Sequence, residues 1–154
     1  MTRQRLEILL VSSSGGVLVD LLALKPWWSR HNARWVAVRA TDTESELAGM
    51  PVRWAAEHDA SRPLAVLPAL VRARRHLRET KPDVLVSAGT GVAVPYFLAA
   101  RQLGIPSLWI ETFNMVGSAG YAARICSRLA ERVIVQRPEL VPRRRRAVLI
   151  GELY

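Results

Sequence analysis

Two short apolar runs end in glycine loops. Leu6–Val11 runs into Ser12-Ser13-Ser14-Gly15-Gly16, and Asp83–Ser87 runs into Ala88-Gly89-Thr90-Gly91. A run of about four to eight Ile, Val and Leu residues that stops at small residues reads as a strand buried on both faces. Helical spacing follows in both places. Val17–Leu24 continues until Pro26, and a second helix reaches about Leu103, where Gly104 ends it. Strand, glycine loop and helix in repeated order demand a parallel sheet with helices on both faces, because parallel strands can be joined only by crossovers.

The rest of the chain fits the same alternation. Arg34–Val38 and Val52–Ala55 read as strands, with a polar stretch Thr41–Gly49 between them that offers one helical turn capped by Thr43. Leu64, Leu67, Leu70, Val71 and Leu77 follow helical spacing, with Pro68 at a first turn or a kink. Pro106–Ile110 is a strand and Glu111–Gly117 a loop. Ser118 is a candidate cap for a helix reaching Ala130. Arg132–Val135 and Ala147–Ile150 are the last strands. With 154 residues and no linker or repeat, residues 1–154 form a single domain.

The strand ends locate the candidate site, because ligands of such sheets bind at the carboxyl ends of the strands. Loops 12–16, 88–91 and 111–117 all fall there. Ser13, Ser14, Gly15 and Gly16 in the first loop, and Gly89, Thr90 and Gly91 in the second, are candidate ligand contacts. Paired glycines let backbone N–H groups approach a phosphate, and the helix that follows presents its positive end. Each loop alone can equally be a tight turn. Glu111 stands where a carboxylate could take sugar hydroxyls or act as a general base, or could simply hold loop N–H groups. Asn114 in the same loop is equally open.

Composition narrows the class. One cysteine, Cys126, excludes an internal disulfide, fits a reducing compartment and reads as a small core side chain. The three histidines are scattered, so no metal-ligand spacing exists, and no nucleophile–base motif points to a hydrolase. No apolar run reaches the roughly 20 residues of a membrane span. The net charge is +9, and almost all of the basic residues are arginine. Residues 124–146 hold eight arginines against Glu131 and Glu139. Such a patch attracts phosphate groups, or is a solvated face. Arg124 and Arg128, with Arg132, repeat every fourth residue beside an apolar line of Tyr121, Ile125 and Leu129. Trp27 and Trp28 are either core or an interfacial anchor.

Taken together, three runs resemble the PssD/EpsE-type proteins of bacterial capsule and exopolysaccharide synthesis. They are Ser13-Ser14-Gly15-Gly16, Leu24-Lys25-Pro26-Trp27-Trp28 and Lys81 through Pro95. Leu103-Gly104-Ile105-Pro106, Trp109-Ile110-Glu111-Thr112, Leu129-Ala130 and Val135-Gln136-Arg137-Pro138-Glu139-Leu140 continue the pattern, so the resemblance covers about residues 6 to 152. That family is related to the membrane-bound subunit of the split UDP-N-acetylglucosamine transferase of dolichol-linked oligosaccharide synthesis. It is more distantly similar to the N-terminal domain of MurG.

The resemblance implies a Rossmann-like parallel sheet forming the acceptor-side half of a GT-B glycosyltransferase divided between two chains. A separate donor-binding subunit and a polyprenyl-diphosphate-linked glycan acceptor are the implied partners. No cofactor and no metal are implied. The expected location is cytoplasmic, peripheral on the inner face of the plasma membrane, with Arg124 and Arg128 as membrane or phosphate contacts. Ser13, Ser14, the loop glycines, Thr90 and Asn114 would contact the acceptor, and Glu111 would be the catalytic candidate. One position departs from the family pattern: Val17 stands where a histidine usually follows the paired glycines.

Two other readings stay open on residues alone. A stand-alone nucleotide-binding protein would need an acid after the second strand to hold a ribose, and Asp42 is a poorly spaced candidate. A basic nucleic-acid binder would carry the charge, but no motif for it is present, so nucleic acid is not an expected partner.

Overall fold

A computed structural model describes residues 4–59, 61–112 and 120–151. Seven strands form one sheet: β1 (Glu7–Ser12), β2 (Asn32–Val38), β3 (Val52–Ala55), β4 (Val84–Ser87), β5 (Ser107–Glu111), β6 (Arg132–Val135) and β7 (Ala147–Leu149). Their order is β3-β2-β1-β4-β5-β6-β7, and every adjacent pair is parallel. The order reverses between β1 and β4, and ligands of such sheets settle in the crevice that this reversal opens.

The helices are α1 (Gly16–Ala23), α2 (Lys25–Trp28), α3 (Thr41–Glu46), α4 (Pro63–Thr80), α5 (Ala93–Leu103) and α6 (Tyr121–Leu129), with a 3-10 turn at Pro138–Arg143. Alternate residues of each strand feed two cores, as the two-residue period of a pleated strand requires. Leu9 and Val11 of β1 join Trp109 of β5 and Val133 of β6 under α4, α5 and α6. Ile8 and Leu10 join Trp35 and Ile110 under α1 and α2. Phe97 meets Trp109 edge-on at 5.6 Å, and Trp28 meets Trp35 at 5.7 Å. The expected two-faced parallel sheet is therefore what the chain forms.

Several local expectations are corrected. Pro26 does not simply stop the first helix; it sits in the first turn of α2, where its missing N–H costs nothing. That turn places Trp28 in the core, with its indole N–H donating to the Leu21 carbonyl at 2.9 Å. Trp28 is therefore packing and not an interfacial anchor. Thr43 caps α3 from its third position and not from the N-cap position, which Ala40 takes. Its buried hydroxyl donates to the Val38 carbonyl at 2.7 Å and accepts from the Ala40 N–H at 2.9 Å. Glu111 is the last residue of β5, not the first of a loop, because it pairs in register with Val135 of β6. The helix expected from Ser118 starts at Tyr121, with Gly120 at its cap position; Ser118 lies outside the described residues. Its buried residues are Ala123, Cys126 and Ser127, with Ala130 buried just past its end, while Tyr121 is largely exposed.

The apolar spacing in α4 conceals two faces. Val66, Ala69, Ala73, His76 and Leu77 are buried against the sheet and α5. Leu64, Leu67 and Val71 are exposed at 81%, 53% and 60%. At the inner seam, His76 Nδ1 and the Tyr96 hydroxyl of α5 lie 2.9 Å apart. Burial, then the positive charge of Arg53, pushes the His76 imidazole down to about 4.

Candidate functional site

The two glycine loops flank the sheet reversal, since β1 and β4 are neighbours and each leads into its loop at the carboxyl rim. Ser87, at the end of β4, binds them together: its hydroxyl donates to the Val11 carbonyl at 2.7 Å. The third strand end, that of β5, lies next to β4. It is tied to α1 by the Thr112 hydroxyl, which donates to Asp20 Oδ2 at 2.8 Å, with both residues buried. The fold thus gathers three segments far apart in sequence.

In the first loop Gly15 has φ +75°, a left-handed conformation that a side chain would strain. Among the described residues the space around Gly15 and Gly16 is open, and a methyl group on either meets no described atom within 4 Å. The Gly15 N–H donates to Asp42 Oδ2 at 2.7 Å, and the other oxygen of Asp42 accepts from the Thr43 N–H. Asp42 therefore serves the glycine loop of this chain. Ser13 is buried and its hydroxyl turns back to the Ser14 carbonyl, whereas Ser14 is exposed. Val17, in the position of the missing histidine, packs partly buried against the core under α1.

The second loop is covered. Residues 56–59, following β3, cross over it, and Glu57 closes the positive end of α5. One carboxylate oxygen accepts from the Val92 N–H at 2.7 Å and the other from the Thr90 hydroxyl at 2.5 Å. Gly91 lies so near this segment that a Cβ would stand 1.7 Å from the His58 carbonyl oxygen. Gly89 has φ +140°. Asp59 anchors the end of the segment, accepting from the Ser61 hydroxyl and N–H, which hold its carboxyl below the usual range.

Glu111 is 3% exposed and accepts from Arg144 Nε at 2.8 Å. Arg124 and Arg128 are exposed on α6. Asn114 lies outside the described residues. Sequence reasoning missed Asp20, Glu57 and Arg144 as rim residues. A lone acid in the apolar stretch Val17–Leu24 was the available signal for Asp20; nothing local marked the other two.

This arrangement can bind a polar, partly anionic ligand. Two short glycine loops and two helix N-termini meet at the sheet reversal, each loop moderated by a carboxylate of the chain itself.

Residues 32–135 match the glycosyltransferase family 28 N-terminal domain. The chain belongs to this family. Among its curated relatives is the UDP-N-acetylglucosamine–N-acetylmuramyl-(pentapeptide) pyrophosphoryl-undecaprenol N-acetylglucosamine transferase of Methylococcus capsulatus. It is 31% identical over 141 residues, which covers 82% of this chain and 39% of the relative. The enzyme of the same name from Paenarthrobacter aurescens is 45% identical over 67 residues, 44% of this chain and 17% of the relative. Among solved structures, MurG of Acinetobacter baumannii superposes with a TM-score of 0.73 at 25% identity, covering 95% of this chain and 45% of that one. MnaA of S. aureus, solved with UDP, superposes at 0.75 with 12% identity, a likeness of fold alone. The chain spans less than half the length of these relatives. Its sheet is one Rossmann-like half of the GT-B architecture, and in this family that half is the N-terminal one.

Proposed function

We propose that this family 28 domain is the acceptor-side half of a two-chain GT-B glycosyltransferase of the PssD/EpsE type. It would hold a polyprenyl-diphosphate-linked glycan while a separate donor-binding chain brings a UDP-sugar, in capsule or exopolysaccharide synthesis. The observation that carries this reading is the convergence of two glycine loops on the sheet reversal of a family 28 N-terminal domain. The names of the relatives supply the substrate classes: a UDP-sugar donor and a pyrophosphoryl-polyprenol acceptor. The test is binding by the isolated chain. It should bind a short-chain polyprenyl-diphosphate sugar and show no saturable binding of UDP-sugar. Tight UDP-sugar binding without acceptor binding would reverse the assignment of halves.

The reading includes peripheral contact with an anionic membrane at the inner face of the plasma membrane. No helix among the described residues is long and apolar enough to cross a membrane. The support for surface contact is the exposed line Leu64, Leu67 and Val71 on α4, with Arg72 and Arg75 exposed beside it. Arg124, Arg128 and the exposed Tyr121 of α6 project on the same side of the sheet. Each basic residue near an anionic surface contributes about 1 kcal/mol, screened over about 8 Å at physiological salt. Flotation with anionic vesicles should weaken with salt and with Leu67→Glu. Equal flotation on neutral vesicles at every salt concentration would count against the electrostatic part.

A further inference from the structure

We propose that Arg144 is a phosphate-recognising residue of the acceptor site, and that Glu111 is a positioning residue acting through it. The inference rests on the acceptor-side reading above. Four consecutive arginines, Arg143 to Arg146, look alike in sequence, but the fold distinguishes one of them. Arg143, Arg145 and Arg146 are exposed, whereas the Arg144 side chain is 21% exposed and turns inward onto Glu111. Three other ion pairs, Arg34–Glu7, Arg39–Glu44 and Arg62–Asp59, use carboxylates that are 37%, 47% and 58% exposed. In Arg144–Glu111 the carboxylate has been taken out of water.

Such a pair needs a reason other than stability. Taking the charges out of water is costly, and well-packed apolar residues often do as well in their place. What the pair provides is a fixed guanidinium. Its bond to Glu111 uses Nε alone, and Arg144 makes no hydrogen bond through its two terminal amino groups to any described residue. A guanidinium carries five N–H donors in a planar fork, a geometry suited to bidentate phosphate. The bond to Glu111 restrains the arginine side chain before a ligand arrives. Arg124 and Arg128, exposed on α6, have no comparable restraint.

Position supports the same role. Glu111 ends β5, the strand beside β4 and its glycine loop. The next residue, Thr112, is tied to Asp20 one turn below the first glycine loop. Glu111, two residues beyond the Ser87–Trp109 register pair, therefore holds Arg144 at the carboxyl rim beside the second glycine loop, which the acceptor-side reading assigns to the ligand. In this arrangement Glu111 orients a cation and performs no proton transfer.

The experiment uses the full chain, with inorganic pyrophosphate as the calorimetric probe, and the chain reconstituted with its donor-binding partner for transfer kinetics. Arg144→Ala alone leaves Glu111 buried without a partner and can unfold the chain. The informative variant is therefore Glu111→Gln with Arg144→Met, which removes both charges and keeps the volume. Pyrophosphate affinity should fall about tenfold or more and the KM for acceptor should rise by a similar factor, with kcat changed less than about threefold and Tm retained. Arg144→Lys should restore only part of the affinity, since an ammonium lacks the fork. Glu111→Gln added to Arg144→Met should cost nothing further.

Unchanged pyrophosphate affinity and acceptor KM in a double variant that folds, pairs and transfers would overturn the proposal while leaving the acceptor-side reading standing. A fall in kcat at constant KM for Glu111→Gln would also overturn it, restoring Glu111 as a base. If the wild-type chain binds neither pyrophosphate nor polyprenyl acceptor, both the proposal and the reading beneath it fail.

Discussion

The two glycine loops look like copies of one device, yet their glycines are there for different physical reasons. Among the described residues there is open space around Gly15 and Gly16, and what Gly15 needs is a backbone conformation with φ +75°. At Gly91 the need is room: the His58 carbonyl lies where a Cβ would be. The first loop faces outward and is moderated by Asp42 through a single N–H. The second is roofed by residues 56–59, with Glu57 bound to both Thr90 and Val92. An open loop can receive a ligand as it stands. The covered one presents its contacts only through, or after displacement of, a carboxylate of its own chain. If the acceptor diphosphate enters this rim, the first loop is the place where it meets backbone donors directly.

The contrast can be broken most severely at Gly91. Gly91→Ala should destabilise the chain by about 3 kcal/mol or more, since the obstacle is backbone and must move. Thermal or urea unfolding measures this, and a neutral result would mean that the roof over the second loop is not as described. Gly15→Ala should cost about 1–2 kcal/mol from conformation alone. Gly16→Ala separates fold from ligand. It begins α1 in open space, so the chain should gain about 0.5 kcal/mol, as Gly→Ala does at compatible sites. Its methyl group would occupy ligand space, so transfer by the reconstituted pair should slow about tenfold, about 1.4 kcal/mol in barrier. A stable Gly16→Ala chain that transfers normally would make the first loop only a turn.

Glu57→Gln sharpens the other side of the comparison. Losing the charge while keeping one carbonyl acceptor should raise pyrophosphate affinity about threefold at low salt, where charge repulsion is least screened. No change would show that the roof does not compete with anions. The smallest effect expected is on pH dependence. His76 and Tyr96 join α4 to α5, and α5 carries the second loop. The folded His76 value, about 4, is below the unfolded value near 6.5, so the unfolded chain binds more protons between them. Stability present above pH 6.5 should therefore decline as pH falls towards 4. His76→Gln should flatten that part of the Tm–pH curve, and an unchanged slope would assign the acid sensitivity elsewhere.

Much of this fold was legible from the sequence because its punctuation is local. Ile and Val runs, glycine clusters and Gly104 at a helix end act through near neighbours. The strand ends and both loops therefore fall where the alternation places them. Long-range pairings were not legible. Asp42 and Glu57 lie 27 and 35 residues from the N–H groups that they hold, and no spacing rule connects them. Glu111 stood out as an acid after an apolar strand, but its partner was hidden among four identical arginines that only tertiary packing distinguishes. The α4 pattern misled for the opposite reason. Leu64, Leu67 and Val71 have helical spacing as a core face would, but the face they mark is exposed.

The central claim is that this chain forms the acceptor side of a transferase completed by another polypeptide. The direct measurement is sugar transfer from a labelled UDP-sugar to a polyprenyl-diphosphate-linked acceptor. It is assayed with this chain alone, with a donor-binding family 28 half alone, and with the two mixed. Transfer should appear only in the mixture and saturate as the two chains approach equal amounts. Sustained transfer by this chain alone would contradict the account.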